Sequence, residues 1–240
     1  MNQETLRKLS ELKLLGMSDK FKELSEANRL IDLPAEEALA QMVDCEYDRR
    51  RKNRVTSLLK SAQIRIPAAC VEDIEFSAAR NLKKEPLREL LSLEFLDKHA
   101  TVLISGACGT GKSYLGCALA NLACRNGYST SYWRVSRMLE YIAAEKKMGD
   151  YLKALEKFGK VKLLILDDLG SSVLTKEQRN IFFEVVEERY LTAATVLTSQ
   201  LPLDKWYEVF EDPTTADAIC DRLFHRAYKI QLKGESMRKK

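Results

Sequence analysis

Thr101-Val102-Leu103-Ile104-Ser105-Gly106-Ala107-Cys108-Gly109-Thr110-Gly111-Lys112-Ser113 is the stretch whose reading decides the fold. Its first five residues are a short apolar run rich in strand formers, and from Lys112 a helical pattern runs to Asn126 and stops at Gly127. Between strand and helix the pattern G-x-x-x-x-G-K-[S/T] is complete at 106–113. Glycines at these spacings let backbone amides turn inward and cradle phosphate oxygens, while the helix presents its positive end to the same anion. The ligand this predicts is ATP. Gly106, Ala107, Cys108, Gly109, Thr110 and Gly111 form the cradle, Lys112 reaches the outer phosphates, Ser113 ligates Mg²⁺, and Tyr114 follows directly.

Toward the C-terminus the pattern alternates. Residues 129–135 read as a strand and 136–148 and 150–158 as two helices. Val161 to Leu166 is nearly all apolar, as a strand buried on both faces should be. Thr175 and Gln178 make a capping box for a helix reaching Tyr190, 195–198 is a fourth strand, Asp212-Pro213 opens a helix to about His225, and 228–232 is a last strand. Such alternation predicts an α/β fold, a parallel sheet flanked by helices on both faces.

Two strand ends carry further candidates. Asp167 and Asp168 follow Leu166, at the sheet edge where ligands bind in such folds. Asp167 is placed to hold Mg²⁺, and Asp168 either activates the attacking water or caps a turn. The next strand ends at Thr198-Ser199-Gln200, where Ser199 or Gln200 is placed to sense the terminal phosphate; the residues alone do not separate the two. Arg222, on the late helix, is either an arginine that completes a neighbouring subunit's site or a surface ion-pair partner.

Toward the N-terminus no strand signal appears. Leu6, Leu9, Leu12 and Leu15 recur at helical spacing, with Gly16 expected to end that helix. Pro34, Glu36 and Glu37 suit the first turn of another, which runs into the basic run Arg49-Arg50-Arg51-Lys52-Asn53-Arg54. Residues 1–60 thus read as a helical N-terminal module, 61–98 as a connector whose Ile64, Ile66, Val71, Ile74 and Phe76 pack on the core, and 99–240 as the ATPase domain.

Composition restricts the function classes. Of 240 residues 39 are basic and 35 acidic, net +4, so only local clustering can argue for nucleic-acid binding. The six cysteines include no Cys-x-x-Cys pair and there are two histidines, which argues against a structural zinc and for reduced thiols in the cytoplasm. No apolar run is long enough to cross a membrane, and the first residues lack the order of a signal peptide.

Taken together, GACGTGKSYL, LLILDDLG, VLTSQLPLDKW and DPTTADAICDRLFHRAYKIQLKGESMRK resemble IstB, the AAA+ ATPase helper of insertion-sequence transposition, a relative of the helicase loader DnaC and the initiator DnaA. The resemblance spans nearly the whole chain, including DCEYDRRRKNR, and its last motif is the most specific. It implies a bacterial, cytoplasmic homo-oligomer with ATP at subunit interfaces, which assembles on duplex DNA, bends it, and recruits an IstA-like transposase. It gives the N-terminal module a role in dimerisation and partner contact. It also makes Lys146, Lys147 and Lys153, on the helices between the second and third strands, candidates for phosphate contacts beside Arg49, Arg50, Arg51 and Arg54. Two departures from the wider pattern stand out: Asp168 occupies a place commonly held by Glu, and residues 233–240 are too few for a helical lid, leaving Arg238 as candidate substitute for a lid arginine. The rival readings are a helicase loader and a small-molecule kinase built on the same loop.

Overall fold

The computed structural model describes residues 2–75, 80–82 and 84–237; Phe76 and Arg238 lie outside them. The chain divides into two compact units, Met1–Ser57 and Leu58–Lys240.

The first unit contains α1 (Asn2–Glu11), α2 (Leu15–Glu26) and most of α3 (Ala35–Ala62). Gly16 does not end the first helix. That helix stops at Glu11, Lys13 turns the chain with φ 58°, and Gly16 lies in the first turn of α2. The glycine is there for proximity: a Cβ on it would stand 2.6 Å from the Glu46 Cα of α3. Glu46 uses that closeness. Its carboxylate accepts from the Gly16 amide at 2.6 Å and the Met17 amide at 3.4 Å, capping α2 from another helix. Arg50 donates to the same carboxylate at 2.6 Å, and Arg49 pairs with Asp19 at 2.7 Å. Two arginines of the basic run therefore bridge packed helices, and all four, Arg49, Arg50, Arg51 and Arg54, are exposed.

The second unit is built on five parallel strands: β1 (Thr101–Gly106), β2 (Thr130–Arg134), β3 (Leu163–Leu169), β4 (Ala194–Ser199) and β5 (Tyr228–Leu232), in the order β2-β3-β4-β1-β5. Each strand pairing is parallel because helical crossovers return the chain to the same edge. Alternate residues of β3 serve opposite layers. Leu163 and Ile165 join one apolar cluster, with α6 (Lys112–Arg125), α4 (Lys84–Leu91), α5 (Glu94–Asp97) and Ala62, Ile64, Ala69, Ile74 and Leu82. Leu164 and Leu166 join the other, with α7 (Val135–Met148), α8 (Tyr151–Lys160), α9 (Lys176–Arg189), α10 (Trp206–Phe210) and α11 (Pro213–Phe224). A strand buried on both faces has no solvent side to spare for polar residues, so the run is apolar throughout.

Caps follow the sequence closely. Thr175 and Gln178 form the reciprocal box at α9, and the Asp212 carboxylate accepts from the Thr215 amide at 2.8 Å to start α11 behind Pro213. Among the described residues no helix is long and apolar enough to cross a membrane.

Parity breaks at one place. Leu166 pairs with Leu197, and the next partners are Leu169 and Ser199, so β3 carries one extra residue around Asp167 and Asp168. Asp168 absorbs the bulge with φ 68°, a left-handed conformation that Asp tolerates better than most residues.

Candidate functional site

The strands β1, β3 and β4 end on one edge, where the glycine loop, the acid pair and Thr198 to Gln200 meet. The loop, the acid pair, Thr198 and Gln200 line a cavity of about 630 Å³ together with Arg65, Ile66, residues 73–75, Arg80 and Leu82. The loop keeps its shape through conformations that side chains rarely adopt: Gly109 and Gly111 have φ of 82° and 92°. A Cβ on Gly111 would also stand 2.7 Å from the Arg80 guanidinium, which donates to the Thr110 carbonyl at 2.9 Å. From the other side the Met237 amide donates to the Gly109 carbonyl at 2.9 Å. The loop is thus braced by residues before and after the sheet while α6 begins at Lys112, its first amides open to the loop. The Lys112 ammonium lies 2.8 Å from the Ala107 carbonyl, within the curve of the loop.

Asp167 is the hub. It is 1% exposed, and a carboxylate so buried needs every partner it can find. One oxygen accepts from Ser113 at 2.8 Å and Thr198 at 2.5 Å. The other accepts from Tyr132 at 2.5 Å, with the Arg65 guanidinium at 3.5 Å. Burial and the bond to Asp167 push the Tyr132 phenol far above its usual range, so it remains a donor. A hydroxyl and a carboxylate oxygen 2.8 Å apart beside a glycine cradle are the hard oxygen donors that suit Mg²⁺. Ser113 and Asp167 would hold that ion, which would neutralise phosphate charge.

The third strand end resolves into separate roles. Thr198 donates to Asp167, and its hydroxyl accepts from the Asp168 amide at 3.0 Å, so one side chain closes the bulge. Gln200 donates to the Asp168 carboxylate at 3.2 Å and lines the cavity. Ser199 does not: it is fully buried and donates to the Leu169 carbonyl at 2.7 Å, away from the cavity. Of the two residues left open at this strand end, the structure brings only Gln200 to the site. Thr198, which the sequence reading passed over, joins it; a hydroxyl on the residue before the pair was the available signal. Arg65, Arg80 and Tyr132 were missed as well, because nothing in the spacing marks a side chain arriving from elsewhere.

Other expected residues lie apart. Arg222 is not in the cavity; it is folded onto its own chain, paired with Glu187, donating to the Ala218 carbonyl at 2.8 Å and lying 5.0 Å from the Phe183 ring. It lines a hollow with Arg189 and Thr195, at the start of β4, the opposite edge of the sheet. Tyr114 lines the cavity and exchanges hydrogen bonds with the Cys70 backbone. Lys146, Lys147 and Lys153 sit on α7 and α8; Lys146 lies over the Tyr151 ring and Lys153 pairs with Asp150.

A family model described as IstB-like ATP binding protein matches residues 7–240. A Sinorhizobium fredii protein bearing the name insertion sequence ATP-binding protein y4pL is 37% identical over 98% of this chain and 96% of its own length. The ATP-binding protein named for insertion sequence IS21 of Pseudomonas aeruginosa is 30% identical over 97% of this chain and 87% of its own. Among solved structures, DnaI superposes with a TM-score of 0.58 at 22% identity, covering 74% of this chain and 94% of that one. DnaA bound to AMPPCP and single-stranded DNA superposes at 0.59 and 21%, covering 70% and 51%. At these identities the structural likeness is one of fold, the AAA+ P-loop fold.

Proposed function

We propose, from the premise that this chain belongs to the IstB-like ATP-binding proteins, that it is a Mg²⁺-dependent ATPase that assembles on duplex DNA in its ATP-bound form and brings a transposase to the target. The observation that carries the ATPase part is the Ser113–Asp167 contact of 2.8 Å beside Lys112 at the mouth of a glycine loop. Lys112 and the loop amides bind the triphosphate, and Ser113 and Asp167 hold the metal that screens it. Asp168, fixed by Gln200 and by the Thr198 hydroxyl, is oriented to take a proton from the attacking water.

The DNA part rests on family membership and on charge placed at exposed helix surfaces. Lys146, Lys147 and Lys153 on α7 and α8 and Arg51 and Arg54 on α3 would contact phosphates, with Arg49 and Arg50 engaged in helix packing. Such contacts carry no sequence information, so they suit a protein that binds many targets. Arg222 lies outside its own cavity and would serve an adjacent subunit, exchanging Glu187 for a phosphate across a homo-oligomeric interface. The N-terminal unit would carry dimerisation and transposase contact, in the bacterial cytoplasm.

The test is ATP turnover and DNA-dependent assembly of the purified chain. Duplex DNA should raise turnover and, with a slowly hydrolysed ATP analogue, shift the protein to large complexes by sedimentation; Lys112→Ala should abolish both. Turnover indifferent to DNA in a monomer would favour a kinase. Capture of replicative helicase in place of transposase would favour a loader.

A further inference from the structure

Among the described residues four cationic side chains line the nucleotide cavity: Lys112, Arg80, Arg134 and Arg65. Lys112 belongs to the loop, and Arg80 is spent on the Thr110 and Glu75 carbonyls at 2.9 Å each. Arg134 is an exposed residue at the end of β2. Arg65, exposed as well, differs in standing against the hub aspartate and the Tyr132 hydroxyl. It arrives from the segment ahead of the core, and its guanidinium stands beside the hub aspartate at 3.5 Å.

Its position is built. The buried Asn121, in the middle of α6, donates to the Pro67 carbonyl at 3.1 Å and the Ala69 carbonyl at 2.7 Å. Tyr114 accepts from the Cys70 amide at 3.2 Å. An asparagine on a face otherwise devoted to apolar packing is costly unless its bonds matter. Here they hold residues 67–70 along the helix that follows the loop, and so deliver Arg65 to the Ser113–Asp167 end of the cavity.

We propose that Arg65 is a phosphate-binding residue of this site that distinguishes nucleoside triphosphate from diphosphate within a single chain. The proposal rests on the ATP reading given above. Asp167 and Ser113 mark where the metal and the outermost phosphates meet, so a cation beside Asp167 lies by the one group that ADP lacks. A guanidinium suits the task because its planar fork can donate to two oxygens at once and keeps its charge at any physiological pH. The side chain is 41% exposed, so reorienting it from carboxylate to phosphate breaks no packed core. Asp167 keeps its three hydroxyl donors meanwhile.

Equilibrium binding of fluorescent (mant) AMPPNP and mant-ADP with Mg²⁺ present tests this in the wild-type chain, Arg65→Gln and Arg65→Lys. Arg65→Gln should weaken the triphosphate analogue roughly tenfold or more, the scale of a lost charge-assisted hydrogen bond, and leave ADP within about threefold. Arg65→Lys should fall between. Equal losses for both probes would make Arg65 a mere counter-ion of Asp167 and overturn the proposal, as would no loss. Retained ADP binding certifies that the variants fold. Phenylglyoxal labelling of the wild-type chain, read by mass spectrometry, gives a variant-free check: AMPPNP should protect Arg65 and ADP should not; equal protection would overturn it. A wild-type chain that bound neither probe would remove the ATP reading itself, and Arg65's role with it.

Discussion

The two edges of the sheet each bury one charge between β3 and β4, and they treat it oppositely. At the start of the strands Arg189 is 3% exposed and is satisfied by fixed groups: the Phe158 carbonyl at 2.5 Å, the Val161 carbonyl at 3.0 Å, the Ala194 carbonyl and the Thr195 hydroxyl at 2.9 Å. Burial alone pulls its guanidinium pKa downward. At the other edge Asp167 is buried as deeply, but its partners are side chains from α6, β2, β4 and segment 62–82, facing a cavity. Backbone dipoles cannot leave; hydroxyls and an exposed arginine can. The comparison separates a charge that seals a sheet edge from one poised to exchange partners for a ligand, although desolvation acts on both.

Arg189→Met should break the sealed edge. It strands a carbonyl in the last turn of α8, a loop carbonyl, a strand carbonyl and a hydroxyl, and should cost about 3 kcal/mol or more in urea unfolding. Mg·ATP should still bind to whatever fraction remains folded; loss of binding at full folding would erase the distinction. Asp167→Asn is the mirror experiment. ATP turnover should drop by at least about a hundredfold while the unfolding midpoint stays close to wild type, because the amide keeps the shape, gives up the charge and one acceptor oxygen, and faces hydroxyls that can turn to accept from its nitrogen. A collapse in stability would show Asp167 to be structural like Arg189.

Thr198→Val sharpens the picture on the functional side. It removes the donor to Asp167 and the acceptor of the Asp168 amide while conserving volume, so turnover should fall about tenfold, with Ser199→Ala nearly silent. Equal effects would mean that the cavity-facing and inward-facing hydroxyls of this strand end do not differ in function. The smallest effect belongs to a third buried charge, Glu46. Arg50, with the Gly16 and Met17 amides, holds its carboxyl below the usual range. Its stabilisation is therefore complete above the ordinary carboxylate pKa and is lost as pH falls through the lowered value. Glu46→Gln should cost about 1 kcal/mol at neutral pH, the scale of a helix cap, and remove this acid-dependent part of the melt. Acid sensitivity unchanged in the variant would assign it elsewhere.

Much of this was legible in the residues. The loop at 106–113, the strand before it and the helix after it are local patterns with local causes, as are the Thr175 box and the Asp212 cap. The sheet followed from alternation, since apolar runs without a polar side must be covered twice. Gly16 was misread because a glycine after a leucine repeat looks like a helix stop, whereas its cause is a neighbouring helix thirty residues away. The partner of Arg49 was hidden for the same reason: Asp19 is distant in sequence.

What the sequence alone determined is the phosphate cradle and the parallel layers around it, since glycine spacing, strand-former runs and caps act within a few residues. Which side chains face the nucleotide was decided only by tertiary structure. Alternation along β4 puts Thr198 and Gln200 on one face and Ser199 on the other, and only the packing of the layers makes the first of these the face that meets the cavity. A helix asparagine sets where the connecting segment lays Arg65. Period-two patterning separates the two faces of a strand without saying which one a cavity will meet, and no local spacing records a contact between residues a hundred positions apart.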